Sequence, residues 1–166
     1  GQSYSAKSFI IAVGSTPNYE AEWKKEIDYK LITSDDIFEL PTLPKSIAVI
    51  GSGVIAIELA QAMQRLGVET TVFARSKKVG VLSSPKLQEI AQIELSKELN
   101  IKFEILPSSV KSTDNGIEIN FIENNQSKQI YVEYILAATG RQSNLKTLNL
   151  ENINPSYADI KKLPLN

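Results

Sequence analysis

Three apolar segments in the middle of the chain alternate with segments in which apolar residues recur at the three- to four-residue spacing of a helix. Residues 46 to 50 (SIAVI) are continuously apolar, which is typical of a strand buried on both faces of a parallel sheet. Residues 69 to 74 predict a second strand, and the alternation at Ile101, Phe103 and Ile105 predicts a third. Consecutive parallel strands need crossover connections, so helices are expected between them.

The two connecting segments have the spacing of amphipathic helices. The first covers residues 54 to 66 and ends at Gly67, and the second begins with Ser84 as its N-cap and Pro85 in its first turn. The apolar positions expected to face the sheet are Ile55, Leu59, Ala62 and Leu66 in the first helix and Leu87, Ala91, Leu95 and Leu99 in the second. Together these segments predict a strand–helix–strand–helix–strand unit.

The pattern changes after the third strand. Residues 110 to 112, 117 to 122 and 128 to 132 predict short strands, because the turn sequences TDNG and ENNQS separate them. They indicate an antiparallel meander in place of a third crossover helix, and residues 134 to 138 then predict a last apolar strand. We therefore expect an α/β fold: a Rossmann-like open parallel sheet with flanking helices and an antiparallel β-meander crossover.

The chain before this unit carries weaker signals. Residues 7 to 13 (KSFIIAV) predict a strand, whereas residues 18 to 33 are expected to form a loop with at most one helical turn. Ser34 and the acidic residues after it predict a short helix over residues 35 to 39. Of these segments, only the first adds a strand to the expected fold.

The turn between the first strand and the first helix reads GSGVIA (residues 51 to 56). The pattern G-x-G-x-x-A indicates dinucleotide binding when, as here, it lies between a buried strand and an amphipathic helix. Gly51 permits a tight turn, Gly53 leaves room for a pyrophosphate, and Ala56 lets the helix pack closely on the strand. The helix N-terminus adds N–H groups and the positive end of its dipole. A structural strand–turn–helix without a ligand is the alternative.

A cluster of cations follows the second predicted strand. Domains that bind NAD usually carry Asp or Glu there, about twenty residues after the glycines, to bind the ribose hydroxyls. Here the strand ends at Ala74 and is followed by Arg75, Lys77 and Lys78. The guanidinium of Arg75 suits a 2′-phosphate, with the lysines as point charges. The expected cofactor is therefore NADP or NAD, with NADP favoured, and a solvated basic loop is the alternative.

The composition narrows the chemistry and the partners. The 166 residues include neither Cys nor His, which excludes a disulfide, a thiolate nucleophile and the commonest general base from this sequence. We therefore assign no catalytic residue and no metal site. The net charge of −1 argues against nucleic acid and against an anionic membrane surface as partners. No apolar stretch is long enough to span a membrane and no signal peptide is visible, so a cytoplasmic protein is expected.

Three segments, in order, resemble one enzyme family. Residues 34 to 67 (SDDIFELPTLPKSIAVIGSGVIAIELAQAMQRLG) resemble the nucleotide domain of the FAD-dependent pyridine nucleotide–disulfide oxidoreductases, and within that family they look most like dihydrolipoamide dehydrogenase. IIAVGSTP (residues 10 to 17) is similar to the A-T-G-S-x-P segment that leads into the NAD(P) domain, with Val in place of Thr. ILAATGRQSNLKTLNLEN (residues 135 to 152) is similar to the A-T-G-R-x-x-N exit.

The resemblance implies roles for individual residues. The positions implied to bind the cofactor around the glycines are Gly51, Ser52, Gly53, Val54 and Ile55. Glu58 matches a glutamate near the nicotinamide and the flavin, or else it is only a partner of the helix dipole. Val110 matches a position that lines the adenine pocket, or else it is a core residue. Gly140 and Arg141 match the exit motif near the nucleotide, although Arg141 alternatively pairs with an FAD domain.

The resemblance also implies a larger enzyme. Residues 1 to 33 would be a lead-in segment from an FAD domain, residues 34 to 141 the NAD(P)-binding domain, and residues 142 to 166 an exit segment toward the FAD domain. The complete enzyme would pass hydride between NAD(P)(H) and FAD and exchange electrons with a redox-active disulfide and a dithiol substrate. The FAD and dimerisation domains would lie outside this sequence, and a homodimer is implied. By itself the chain is expected to bind nucleotide and to be inactive.

Two other classes of protein fit the same residues. Another two-dinucleotide flavoprotein, of the NADH oxidase or ferredoxin reductase type, would share this domain, and a non-catalytic nucleotide-sensing module stays open. A short-chain dehydrogenase is disfavoured, because the sequence has its Tyr-x3-Lys spacing only at Tyr157 and Lys161, outside the predicted strand–helix unit. At the position where a carboxylate usually binds the ribose hydroxyls, this sequence has Ala74 and Arg75. In this respect it resembles the NADPH-using reductases more than the NAD-using dihydrolipoamide dehydrogenases.

Overall fold

The computed structural model describes residues 2–158, which divide into two compact units. One unit is Pro17–Gly140, and the other comprises the described parts of Gly1–Thr16 and Arg141–Asn166. The strands, in chain order, are β1 (Ser15–Pro17), β2 (Leu31–Thr33), β3 (Ser46–Ile50), β4 (Glu69–Ala74), β5 (Asn100–Phe103), β6 (Ser109–Thr113), β7 (Gly116–Glu123), β8 (Gln126–Val132), β9 (Tyr134–Ala137) and β10 (Arg141–Ser143). The α-helices are α1 (Ala21–Ile27), α2 (Val54–Arg65) and α3 (Pro85–Ser96).

A five-stranded parallel sheet forms the centre of the unit Pro17–Gly140. Its strand order is β2-β9-β3-β4-β5, and every neighbouring pair is parallel. The strands predicted at residues 46 to 50 and 69 to 74 are confirmed with those bounds. β6, β7 and β8 form the predicted antiparallel meander between β5 and β9. The predicted fold class is therefore confirmed.

The two faces of the parallel sheet carry separate cores, because side chains alternate along each strand. Val49 of β3 belongs to the buried cluster that includes the side chains of α2. Its neighbour Ile50 belongs to the cluster on the other face, which includes the side chains of the meander. There Phe73 meets Phe121 edge to face, with ring centroids 5.2 Å apart and an interplanar angle of 73°. The unit thus has three layers: helices, parallel sheet and meander.

The face that helix α2 turns toward the sheet matches the predicted face only at Leu59. Ala62 is exposed, as are Ile55 and Leu66, with exposed fractions of 40% and 58%. The buried residues of this helix are Ala56, Ile57, Leu59, Ala60 and Met63. Small side chains at Ala56 and Ala60 bring the helix close to the strands. Of the four predicted positions Leu59 is confirmed, whereas the prediction was wrong for Ile55, Ala62 and Leu66, because Ala56 and Ala60 rather than Ala62 are buried against the sheet.

The predicted apolar face of α3 is only partly used. Leu99, just after the helix, is buried with 3% exposure, and Leu95 packs against the same cluster as α2. At the other end Leu87 is 52% exposed. The described residues of Pro85–Ser96 include none that is fully buried. The helix is therefore held mainly through its C-terminal end and through the polar contacts of its first turn described below.

The region before β3 contains elements that the sequence pattern missed. Residues 7 to 13 form no strand in the described structure, and Ile10 is 94% exposed. The physical reason is that a strand needs a hydrogen-bonded partner, and within residues 2–158 none pairs with this segment. The expected loop over residues 18 to 33 instead contains α1 and the edge strand β2, which pairs with β9. The short helix expected at residues 35 to 39 is a 3-10 turn, Ile37–Glu39.

An ion pair fastens the meander to the edge of the parallel sheet. The ammonium group of Lys102 on β5 lies 2.8 Å from Oε1 of Glu123 at the end of β7, and these side chains are only 22% and 17% exposed. Lys128 on β8 binds the other carboxylate oxygen of Glu123. Hydrogen bonds from Lys102 and Lys128 lower the pKa of Glu123 to about 2, so the carboxylate stays ionised.

The second unit contains the paired strands β1 and β10. Arg141 donates from Nε to the hydroxyl of Ser15 and from Nη2 to the carbonyl oxygen of Ser15, both at 2.8 Å. Arg141 thus ties the lead-in segment to the exit segment. The units divide at Pro17 and Gly140, so α1 and β2 belong with the parallel sheet. Assignment of the flanking segments to an FAD domain stays a prediction. Among residues 2–158 no helix has the length and apolar character to cross a bilayer.

Candidate dinucleotide-binding site

The carboxyl ends of β3, β4 and β9 meet at one edge of the parallel sheet. β3 lies between the other two, so the strand order reverses at this point. In open α/β sheets a ligand binds in the crevice outside such a reversal. Two segments lie there: the glycine loop (residues 51 to 53) after β3 and the basic loop (residues 75 to 82) after β4.

Both the backbone conformation at Gly51 and the atoms around it require a glycine at this position. Its φ of +128° is one that side-chain-bearing residues rarely adopt, and a Cβ at this position would lie 2.4 Å from the carbonyl oxygen of Ala138. Its N–H donates to the carbonyl oxygen of Phe73 at 2.9 Å. The glycine loop therefore turns tightly against the ends of β4 and β9, where only glycine fits.

Gly53 leaves open space at the N-terminus of α2. Its φ of −70° suits any residue, yet a Cβ there would meet no atom within 4 Å. No side chain of the described residues caps this helix end, and the carbonyl of Gly53 accepts the N–H of Ile57 at 3.1 Å. The first-turn N–H groups and the space in front of them fit the pyrophosphate of a dinucleotide.

Ser52 joins the glycine loop to the basic loop. Its hydroxyl donates to the carbonyl oxygen of Lys78 at 2.7 Å, and its own carbonyl oxygen accepts the N–H of Gly80 at 2.7 Å. These two bonds hold the basic loop beside the glycine loop, although the residues are 26 positions apart for the first of them. Ser52 was predicted as a cofactor-binding residue, and its hydroxyl is already engaged within the protein.

The three cations of the basic loop are exposed and differ in their partners. The ammonium group of Lys77 lies 3.6 Å from the carboxylate of Glu104, and these side chains are 66% and 62% exposed. Within residues 2–158 the side chains of Arg75 and Lys78 have no ion pair or hydrogen bond. An exposed pair contributes little, so all three positive charges are accessible to an anion.

Gln88 is a residue that the sequence did not single out. Its Oε1 accepts the N–H of Val79 at 2.8 Å, and its Nε2 donates to the carbonyl oxygens of Val79 at 3.0 Å and Leu82 at 2.6 Å. These bonds connect the first turn of α3 to the basic loop. The only signal in the sequence was an amide side chain shortly after a Ser-Pro helix start, and that pattern does not reveal its partner.

Three further predicted residues lie on the first turns of α2. Val54 and Ile55 directly follow the glycine loop and are 50% and 40% exposed, and Glu58 is exposed one turn further on. Val54 also lies beside the basic loop, since a Cβ on Gly80 would be 4.0 Å from its Cγ2. These side chains present an apolar and then an acidic surface next to the helix N-terminus.

Val110 and Gly140 have different surroundings. Val110 on β6 is 7% exposed and belongs to the core cluster between meander and sheet, which favours its core alternative. Gly140 has a φ of +111°, and its carbonyl oxygen accepts the N–H of Asn18 at 2.9 Å. The hydroxyl of Thr139 donates to the carbonyl oxygen of Asn18 at 2.9 Å. The turn after β9 is thus fixed to the chain that precedes α1.

A parallel sheet with a glycine loop at its strand-order reversal and an antiparallel meander as crossover defines the class: a Rossmann-like α/β domain of the kind that binds dinucleotides. The particular family follows from comparison with known proteins. Residues 1–158 match the family described as pyridine nucleotide-disulphide oxidoreductase, and the chain belongs to that family. The resemblance found in the sequence is confirmed.

Two kinds of curated relative are similar to this chain. Mercuric reductase from Staphylococcus aureus is 36% identical over 154 residues, which are 92% of this chain and 28% of the relative. Dihydrolipoyl dehydrogenase from Staphylococcus aureus is 30% identical over 159 residues, which are 95% of this chain and 34% of the relative. The chain therefore spans about a third of the length of these enzymes.

Solved structures share the fold. LpdA from Mycobacterium tuberculosis superposes with a TM-score of 0.68 over 86% of this chain and 30% of its own, at 20% identity. The flavoprotein disulfide reductase RclA from Escherichia coli superposes with a TM-score of 0.63 over 75% of this chain and 27% of its own, also at 20% identity. The arrangement of strands and meander is thus one that flavoprotein disulfide reductases contain.

Proposed function

We propose that this chain is the NAD(P)-binding domain of a flavin-dependent disulfide oxidoreductase of the dihydrolipoamide dehydrogenase type, and that it prefers NADP. The residues proposed to bind the cofactor are Gly51, Ser52, Gly53, Val54, Ile55, Glu58, Arg75, Lys77, Lys78 and Gly140. Ser52 contributes through its backbone, because its hydroxyl is bonded to Lys78. Val110 is assigned to the core instead.

The observation that carries this proposal is the attachment of the basic loop to the glycine loop through Ser52. With a pyrophosphate in front of Gly53, the adenosine ribose extends toward the end of β4, as in other domains with this loop. Arg75 is the first residue after that strand and carries an accessible guanidinium. A 2′-phosphate there would accept paired hydrogen bonds from it.

The larger enzyme is part of the proposal. A neighbouring domain would hold FAD, and the bound FAD would supply the two-electron chemistry that connects NAD(P)(H) to a disulfide. This chain's residues hold and orient the dinucleotide, and Val54 and Ile55 present apolar surface beside it. The FAD and dimerisation domains belong to the same polypeptide, which assembles as a homodimer. Without them, the domain binds nucleotide and does not oxidise dithiols.

A mercuric reductase is the second candidate for the whole enzyme. The observation that favours it is the identity of 36% to a mercuric reductase, against 30% to a dihydrolipoyl dehydrogenase. An activity assay of the purified complete enzyme distinguishes a mercuric reductase from a dihydrolipoamide dehydrogenase. Oxidation of NADPH or NADH that depends on added mercuric ion supports the reductase, whereas reduction of NADP or NAD that depends on dihydrolipoamide supports the dehydrogenase.

Binding measurements on the purified 166-residue protein test the proposed cofactor. We expect NADPH to bind at least about tenfold more tightly than NADH, because a charge-assisted hydrogen bond contributes about 1.5–3 kcal/mol. Arg75→Ala should remove most of this difference while leaving the dissociation constant of NADH nearly unchanged. Isothermal titration calorimetry measures the four dissociation constants, those of NADPH and NADH for the wild type and for Arg75→Ala.

Arg65→Ala is the matched control, since it removes the same charge from the far end of α2. It should leave the ratio of the two dissociation constants unchanged. A folded wild-type protein that binds NADH at least as tightly as NADPH contradicts the proposed preference. A folded protein that binds neither nucleotide contradicts the proposed function as a whole.

A further inference from the structure

We propose that Gln88 is a positioning residue that sets the preference for a 2′-phosphorylated dinucleotide. The inference rests on the proposed function, because it concerns how the basic loop is held beside the same nucleotide. Gln88 lies in the first turn of α3 and carries no charge of its own. It acts on the cofactor through the main chain of the basic loop.

The carboxamide of Gln88 pairs with the loop much as a neighbouring strand would. It accepts from the N–H of Val79 at 2.8 Å and donates to the carbonyl oxygen of the same residue at 3.0 Å. A third bond, at 2.6 Å, goes to the carbonyl oxygen of Leu82. Val79 is only 3% exposed, so solvent does not readily replace the partner of its backbone groups. Gln88 therefore fixes the conformation of the second half of the basic loop.

Ser52 holds the same loop at the residues next to Val79. Its bonds reach Lys78 and Gly80, the two residues that flank Val79. The N–H of Lys78 also donates to the hydroxyl of Ser76 at 3.3 Å, within the loop itself. The cationic side chains are thus exposed, while the main chain of the loop is fixed at the last of the cationic residues, Lys78, and at Val79 and Gly80 directly after it. Such preorganisation lowers the entropy cost of binding an anion.

Losing the two attachments should have different consequences. Ser52 belongs to the glycine loop, so its replacement disturbs the pyrophosphate site as well as the basic loop. The amide of Gln88 bonds to the basic loop alone. Without it the glycine loop keeps its geometry, while the main chain of the basic loop, from which the cations extend, loses part of its fixed conformation. Affinity for the 2′-phosphate should then fall, and affinity for the part shared by NAD and NADP should not.

Gln88→Met tests this inference, because methionine keeps the length of the side chain and removes all three hydrogen bonds. For the purified 166-residue protein we expect the dissociation constant of NADPH to rise about five- to tenfold. The dissociation constant of NADH should change less than about twofold, since it lacks the 2′-phosphate. In the nucleotide-free protein, hydrogen exchange at the Val79 amide should accelerate. If Gln88→Met does not fold, Gln88→Asn, one methylene too short to reach, takes the same test.

Gln92→Met is the control, one turn further along α3. It should leave both dissociation constants and the Val79 exchange rate unchanged. If the wild type prefers NADPH and the Gln88 variant keeps the same ratio, or loses both nucleotides equally, the positioning role is overturned while the proposed function stands. If the wild type itself shows no preference for NADPH, the proposed cofactor preference fails and the role of Gln88 in it fails too.

Discussion

The glycine loop and the basic loop lie side by side at one edge of the sheet, yet they are built in opposite ways. The glycine loop depends on the lack of side chains at its two glycines: Gly51 has no room for a Cβ, and Gly53 leaves open space in front of α2. The basic loop depends on side chains that are present, both its own cations and the polar groups of Ser52 and Gln88 that hold it.

This difference separates two kinds of recognition. A pyrophosphate is common to NAD and NADP, and backbone N–H groups recognise it without regard to the rest of the molecule. The 2′-phosphate is what distinguishes the two, and side-chain charges recognise it. Changes to the glycine loop should therefore affect every dinucleotide, whereas changes to the basic loop should affect the ratio between them.

Gly51→Ala should have the largest effect and should act on folding as well as on binding. The new methyl group would lie 2.4 Å from the carbonyl oxygen of Ala138, at a φ of +128° that alanine rarely adopts. Backbone strain of about 1–3 kcal/mol and overpacking of about 1–3 kcal/mol together reduce the free energy of unfolding. Urea denaturation measures the loss, and a change below about 1 kcal/mol would contradict the tight turn.

Gly53→Ala is the matched change in the same loop and should affect binding alone. Its φ of −70° suits alanine, and no atom lies within 4 Å of the new methyl group. The free energy of unfolding should stay within about 1 kcal/mol of the wild type. Both NADH and NADPH should bind at least about tenfold more weakly, because the methyl group occupies the space of the pyrophosphate. Unchanged affinity for both nucleotides would show that the phosphates lie elsewhere.

The sequence predicted the glycine loop better than it predicted the surroundings of that loop. β3, β4 and the helix between them follow from local patterns: a continuous apolar run, a glycine turn and a long amphipathic segment. Elements α1 and β2 were missed because seven and three residues are too few to show a period. β2 also owes its place to β9, about a hundred positions further along the chain.

The polar contacts that shape the candidate site could not be predicted from the sequence either, because they also join residues that are distant along the chain. The bond from Ser52 to Lys78 joins residues 26 positions apart, and no local pattern marks either as the partner of the other. A glutamine is compatible with any exposed helix position, so the bonds of Gln88 become visible only when α3 is placed against the basic loop. The charges themselves were visible in the sequence, but the means by which they are held were not.

Glu104→Gln should have the smallest effect and should act in the opposite direction. The carboxylate of Glu104 lies 3.6 Å from the ammonium group of Lys77, where it would compete with the proposed 2′-phosphate for that charge. Its neutralisation should tighten NADPH binding by about two- to threefold at low ionic strength, since an exposed pair contributes less than about 1 kcal/mol. The gain should disappear at about 1 M salt, where charges are screened within about 3 Å, and NADH binding should not change.

Glu94→Gln, which removes a glutamate that pairs with Lys97 on the far part of α3, is the control for the change in net charge. Equal tightening by both variants would mean that net charge, and not the freeing of Lys77 beside the 2′-phosphate, governs the affinity.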